Sequence, residues 1–195
     1  MRQASIKRKT KETDISIKIN LDGTGKSSIS TKIGFFDHML DALSRHSLID
    51  MEINCIGDTF VDSHHTIEDV GIVLGQALKE AIGDKKGICR YGFFLLPMDE
   101  ALVQCALDFS GRGHIVYDID FNKKEMIGDF DTEMLEEFSR ALAHNAGINL
   151  NLRCIEGSNS HHIAEATFKA LAKSLRMAVE FDKRDKELPS TKAKL

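Results

Sequence analysis

The sequence predicts an α+β fold built from two similar sheet-and-helix halves that share a helical layer. Three observations carry that reading: apolar residues alternating with period 2, amphipathic helical stretches between those runs, and motifs written twice in the same order. The first run, DISIKINL, places Ile15, Ile17, Ile19 and Leu21 on one face and Ser16, Lys18 and Asn20 on the other, as in a half-buried strand. DGTG makes a turn. A second alternating run through Ile29, Thr31 and Ile33 leads into FFDHMLDALSRH, where Phe35, Met39, Ala42 and Leu43 recur at helical spacing. The strand LIDMEINCI and a helical stretch over residues 65–82 complete the first half.

After the Gly-containing turn GDKKGICRYG the same order returns. LDGTG at 21–25 answers LDFSG at 107–111, and HSLIDMEINCIG at 46–57 answers NAGINLNLRCIEG at 145–157. HHTIEDVGIVLGQAL at 64–78 answers HHIAEATFKALAKSL at 161–175. The expected halves are residues 1–92 and 93–182, each with antiparallel strands covered on one face by helices, followed by an irregular polar tail, 183–195.

Composition narrows the function classes. A formal charge of -4 offers nucleic acid no general attraction, and no apolar run reaches the roughly 20 residues that cross a bilayer. MRQASIKRKTKET lacks the apolar stretch of a secretory signal, so a cytoplasmic location is expected. Cys55, Cys89, Cys105 and Cys154 are widely spaced without a CxxC pair, which argues against a disulfide framework or a zinc knuckle.

The chemistry concentrates in the two copies of HHxxE. On a helix advancing about 100° per residue, His64 and Glu68 share a face, and His65 points about 100° away from His64. One such motif is poorly arranged to chelate a single ion with both imidazoles and well arranged to offer one imidazole to each of two ions. Short patterns of this kind arise easily by chance, and a lone HHxxE reads as surface or helix-end histidines. Its return as His161, His162 and Glu165 counts against chance, as does the preceding helix of each half, where the repeat maps His38 onto Glu137. Imidazole and carboxylate donors without thiolate suit Mn²⁺, Fe²⁺ or Zn²⁺, and an octahedral preference favours Mn²⁺. Which residue serves which ion, and from which subunit, is left open by the spacing. His46, His114 and His144 have no partner at ligand spacing and read as structural.

Taken in order, KETDISIKINLDGTG, FFDHML, DSHHTIEDVGI, GDKKGICRYG, PMDEAL, DFSGR, NSHHIAEATFKAL and PST-K resemble the imidazoleglycerol-phosphate dehydratase family, in its single-function form, along almost the whole chain. The resemblance implies a ribosomal protein S5 domain 2-like fold and a hydro-lyase that converts D-erythro-imidazole glycerol phosphate to imidazole acetol phosphate in L-histidine biosynthesis. It also implies two Mn²⁺ ions per active site and a 24-subunit homo-oligomer with active sites at subunit interfaces. The implied metal ligands are His38, His64, His65, Glu68, Glu137, His161, His162 and Glu165, with Glu12 as catalytic acid/base and Arg90, Arg112, Lys169, Ser190 and Lys192 as substrate-binding residues. Without the resemblance, Glu12 and these basic residues read as solvated charges.

Two metals answer a chemical need, because the proton to be lost sits on a carbon with no adjacent carbonyl. The imidazole ring is the available electron sink. Held as imidazolate between two ions it can expel the adjacent hydroxyl to a diazafulvene-like intermediate, after which loss of the C–H proton gives an enol and then the ketone. Departures from the family pattern are Asn151 where His is usual, SGRG for SGRP, and KAK after PST. The repeat aligns Asn151 with Glu52, not with a ligand candidate, so the metal set is expected to survive. A two-metal hydrolase would use similar donors on a bridging water, but its Asp-rich pattern is missing; a metal-storage shell would need neither Glu12 nor the phosphate residues.

Overall fold

The computed structural model describes residues 2–121 and 125–192. In the first half β1 (Gln3–Lys9), β2 (Thr13–Asn20) and β3 (Ser27–Ser30) lead into α1 (Gly34–Ser47), and β4 (Asp50–Gly57) into α2 (His64–Ile82). The second half repeats this with β5 (Tyr91–Met98), β6 (Ala101–Asp108) and β7 (His114–Asp118), inserts a small hairpin of β8 (Met126–Ile127) and β9 (Phe130–Asp131), and resumes with α3 (Met134–Ala146), β10 (Asn149–Glu156) and α4 (Ser160–Val179). The second sheet thus begins at Tyr91, slightly before the divide expected at 93.

The two four-stranded sheets have matching orders, β1-β2-β4-β3 and β5-β6-β10-β7. Their central registers bury the predicted alternation: Ile15, Ile17 and Ile19 face Cys55, Ile53 and Met51, and Cys105 and Leu107 face Leu152 and Leu150. The expectation of purely antiparallel sheets is corrected, since β3 runs parallel to β4 and β7 parallel to β10. In each case a helix, α1 or α3, carries the chain back before the next strand, and a helical crossover of that kind produces parallel neighbours.

The helices of the two halves pair crosswise, α1 with α4 and α2 with α3. Phe36, Phe130, Phe138 and Phe168, all essentially sealed from solvent, gather ring to ring at 5.2–6.5 Å and join α1, β9, α3 and α4 into one core. On α2, Gly71 and Gly75 let the backbone of α3 approach: a Cβ on Gly75 would lie 2.8 Å from the Leu142 carbonyl oxygen. Asp129, in the turn between β8 and β9, accepts hydrogen bonds from the Gly34 and Phe35 amides at 2.7 and 3.2 Å and so caps α1 from the other half of the chain.

The outer faces differ. The first sheet shows Lys7, Lys18, Glu52 and Asn54 to solvent, whereas the second exposes Tyr91, Phe93, Leu95 and Val116. Cys55 and Cys105 are core residues; Cys154, on an alternating apolar run that also reads as core, is only half-buried, as is Cys89, and all four are free. Residues 181–192 of the tail carry no regular element beyond a bridge from Ile88 to Phe181; residues 193–195, including part of the KAK departure, lie outside the described residues. No described helix is long and apolar enough to cross a membrane.

Candidate metal centre

Both HHxxE motifs stand at helix starts held by side chains just ahead of them. Asp62 accepts a hydrogen bond from the His64 amide at 2.8 Å, and the aligned Asn159 accepts from the His161 and His162 amides at 2.9 and 3.3 Å. These contacts satisfy one otherwise orphaned backbone donor at the start of α2 and two at the start of α4, which holds the first turn of each helix.

Crosswise packing brings His38 of α1 to His161 and Glu165 of α4. Glu165 Oε2 stands 3.1 Å from His161 Nε2 and 3.7 Å from His38 Nε2, and one donor atom from each of the three residues lies within 4.8 Å of the others. This is the group of potential ligands that converges among the described residues. Donors placed about 2.1 Å from one ion are separated by roughly 3–4 Å, so a small closure of these side chains would seat a divalent cation. Lys169, one turn further along α4, donates to Glu165 Oε1 at 2.7 Å. Burial works to raise the Glu165 pKa, but Lys169 and His161 outweigh it and hold the carboxyl below its usual value, ionised as a ligand must be.

The mirror arrangement joins α2 and α3. His64 Nε2 lies 3.8 Å from Glu68 Oε2, and His64 and Glu137 line one cavity of about 570 Å³. Glu137 stands near the start of α3, as His38 stands near the start of α1.

The second histidine of each motif turns away, as the helical angle requires. The His161 and His162 rings stand 6.2 Å apart at 84°, and those of His64 and His65 6.2 Å apart at 69°. His65 Nδ1 lies 3.1 Å from Asp58 Oδ2, with Glu12 Oε1 3.9 Å from its Nε2. His162 Nδ1 lies 2.7 Å from Glu100 Oε2, with Asp99 Oδ2 3.6 Å from its Nε2. Asp58 and Glu100 raise the pKa of these two imidazoles, against the smaller opposing effect of burial, and His162 together with backbone amides draws Glu100 down to about 2. Both rings therefore hold a proton to higher pH than an ordinary imidazole.

Glu12 sits in a rigid turn between β1 and β2. Its amide donates to Thr10 Oγ1 at 3.1 Å, and its carbonyl accepts from the Asp58 amide at 3.1 Å. The neighbouring Thr13 hydroxyl donates to the buried Asp69 carboxylate at 2.5 Å, which also takes Arg8 at 2.6 Å. The remaining basic candidates are dispersed. Arg90 forks onto Asp108 at 2.7 and 3.1 Å and donates to the Pro189 carbonyl at 2.6 Å, which brings it beside Ser190 and the tail that carries Lys192. Arg112 is exposed on the SGRG turn, whose backbone is held by Ser110 Oγ. Asn151 lies on the outer face of β10, exposed like its repeat partner Glu52 and pointing away from the helical layer. Sequence reasoning missed Asp58, Asp69 and Glu100. The strand bounds show that Glu100 stands immediately before β6 as Glu12 stands immediately before β2, an equivalence that the sequence echo of LDGTG and LDFSG, 86 residues apart, does not give.

A duplicated α+β chain whose paired helices gather imidazoles and carboxylates has the donor set of a metalloenzyme of the nitrogen–oxygen class. The family model for imidazoleglycerol-phosphate dehydratase matches residues 31–175. Imidazoleglycerol-phosphate dehydratases of Dinoroseobacter shibae and Cereibacter sphaeroides are 58% and 59% identical over 196 aligned positions, covering all of this chain and all of each relative. The crystal structure of the Staphylococcus aureus enzyme, 38% identical, superposes with a TM-score of 0.83 over 92% of this chain and 99% of its own. That of the Pyrococcus furiosus enzyme, 36% identical, gives 0.84 over 97% and 100%. The chain belongs to the imidazoleglycerol-phosphate dehydratase family, hydro-lyases of histidine biosynthesis.

Proposed function

We propose that the chain dehydrates D-erythro-imidazole glycerol phosphate to imidazole acetol phosphate at a centre holding two Mn²⁺ ions. The observation that carries this reading is the convergence of His38, His161 and Glu165 from two helices of different halves. The donor set fits a hard, octahedral cation: imidazole nitrogens, carboxylate oxygens and no thiolate. His38, His161 and Glu165 would hold one ion, and His64, Glu68 and Glu137 would serve the other group. His65 and His162, turned outward, would complete centres with ligands of a neighbouring copy. When bound, the ions supply Lewis-acid stabilisation of negative charge on the substrate ring.

The rest is work for the chain's own side chains. Glu12, half-exposed beside His65, is the acid/base that takes the neighbouring C–H proton once the hydroxyl has left the carbon next to the ring. Arg112 and Lys169 supply charge for the phosphate, and Arg90 fixes the Ser190–Lys192 segment that contributes further contacts. Assembly into a 24-subunit particle is supported by the apolar outer face of the second sheet and by Phe60, 89% exposed four residues before His64.

Consumption of imidazole glycerol phosphate is expected to require Mn²⁺, to stop on chelation and to return on re-addition. A purified, folded protein that shows no metal-dependent dehydration would overturn this reading; turnover of phosphate esters instead would favour a two-metal hydrolase. Arg112→Ala is expected to raise KM for the phosphorylated substrate about tenfold or more with a smaller change in kcat, and an unchanged KM would remove Arg112 from the phosphate site.

A further inference from the structure

The two halves treat one fold position in different ways. Glu12 and Glu100 are equivalent, each the last residue before the second strand of its sheet and each facing the second histidine of an HHxxE motif. Glu12 stays 3.9 Å from His65, whose Nδ1 is already occupied by Asp58. Asp58 belongs to the connection from β4 to α2, residues 58–63, which is longer than the corresponding connection from β10 to α4, residues 157–159. The shorter connection, GSN, contains no carboxylate.

Glu100 fills that gap. Its Oε2 accepts from His162 Nδ1 at 2.7 Å. Its Oε1 accepts from the Asn159 amide at 2.7 Å, the Ser158 amide at 3.2 Å and the Ser158 hydroxyl at 3.4 Å. One carboxylate therefore fixes both the start of α4 and the tautomer of His162, leaving Nε2 as the ring's available lone pair.

We propose that Glu100 is a positioning residue, the functional counterpart of Asp58 and not of Glu12, whose place in the fold it occupies: it holds His162 through Nδ1 so that Nε2 presents to a metal ion. In the first half the two jobs are divided, Asp58 orienting the imidazole and Glu12 left free to move a proton. In the second half Glu100 is spent on orientation, and the carboxylate that stands off Nε2, at 3.6 Å, is Asp99. A carboxylate on the far nitrogen of a ligating imidazole raises ligand basicity and locks ring direction, and its removal typically weakens metal affinity about 10–100-fold.

This inference rests on the proposed role of His162 as a ligand, and the test separates the two. Mn²⁺ binding to the assembled protein is titrated calorimetrically, with free Mn²⁺ followed by electron paramagnetic resonance. Glu100→Gln is expected to weaken one class of Mn²⁺ site by about 10–100-fold and leave the other unchanged, with Asp58→Asn acting in the same way. Ser158→Ala, which removes a contact on the other carboxylate oxygen, is expected to leave both classes at wild-type affinity. Wild-type affinity for every ion in folded Glu100→Gln overturns the proposal, as does an equal loss in Ser158→Ala, which would make Glu100 a helix tether only. If Glu100→Gln does not fold, Glu100→Asp, which keeps the charge and shortens the reach, takes the same test with the same expected and overturning outcomes. Wild-type protein that binds no Mn²⁺ would overturn the metal reading itself, before any variant is made.

Discussion

Glu12→Gln is expected to lower turnover by at least about 100-fold while the protein binds as much Mn²⁺ per chain as the wild type. The substitution keeps size and shape and removes only the ability to carry a proton at that oxygen. The turn should not move, because it is held by the Glu12 amide and carbonyl and by the Asp69 contacts to Thr13 and Arg8, none of which uses the Glu12 side chain. Metal binding should persist for the same geometric reason: at 3.9 Å the carboxylate is beyond hydrogen-bond reach of His65, whose orientation is set by Asp58. Steady-state assay beside metal analysis reads both quantities. Normal turnover would remove Glu12 from the chemistry, and loss of metal would make it a ligand.

Gly92→Ala is expected to have the largest effect on stability, about 3 kcal/mol, seen as a lower first unfolding transition at fixed protein concentration. Gly92 lies on β5 directly under α4, where a Cβ would penetrate the Ser174 carbonyl oxygen and stand 2.7 Å from its carbon. Both sides of that contact are backbone, so no side-chain rotation can relieve it. The helix must lift from the second sheet, and it carries His161, His162, Glu165 and Lys169 with it. Mn²⁺ affinity should therefore fall together with the melting temperature. An alanine tolerated without a shift would mean that α4 does not approach β5 as closely as described.

Most strands and helices were legible because each buries one face and so writes its period into the sequence; β1 was not, since of its seven residues only Ala4 is buried. Ile15, Ile17 and Ile19 announce β2, and the span expected for the long helix differs from α2 by one residue at its start. The parallel strands were not legible: SSIS of β3 is four residues with a single apolar side chain, too little pattern to state a partner or a direction. The hairpin of β8 and β9 left still less, two residues per strand in a polar stretch. At the site, duplication singled out the ligand candidates and the divergence of adjacent histidines. It could not say which helices meet, since the pairing of α1 with α4 depends on how two apolar faces pack, and either face alone is compatible with several partners. Asp58 and Glu100 went unnoticed because a carboxylate that orients a ring looks, in one sequence, like any other acid near a turn.

Crosswise helix pairing also bears on how such a molecule could arise. A chain of half this length would carry its own HHxxE helix and its own preceding helix, yet the two would have to find their counterparts on a second molecule. Two identical half-length chains face to face would complete both groups by symmetry, and any change in one group would appear in the other. Joining the copies in tandem frees them from that constraint. Glu137 can then stand at the helix position where the first half has His38, and Glu100 can bond His162 while Glu12 stays clear of His65. The asymmetry between the halves is what covalent fusion permits, and a separately expressed pair of halves should recover the ligand groups only when mixed.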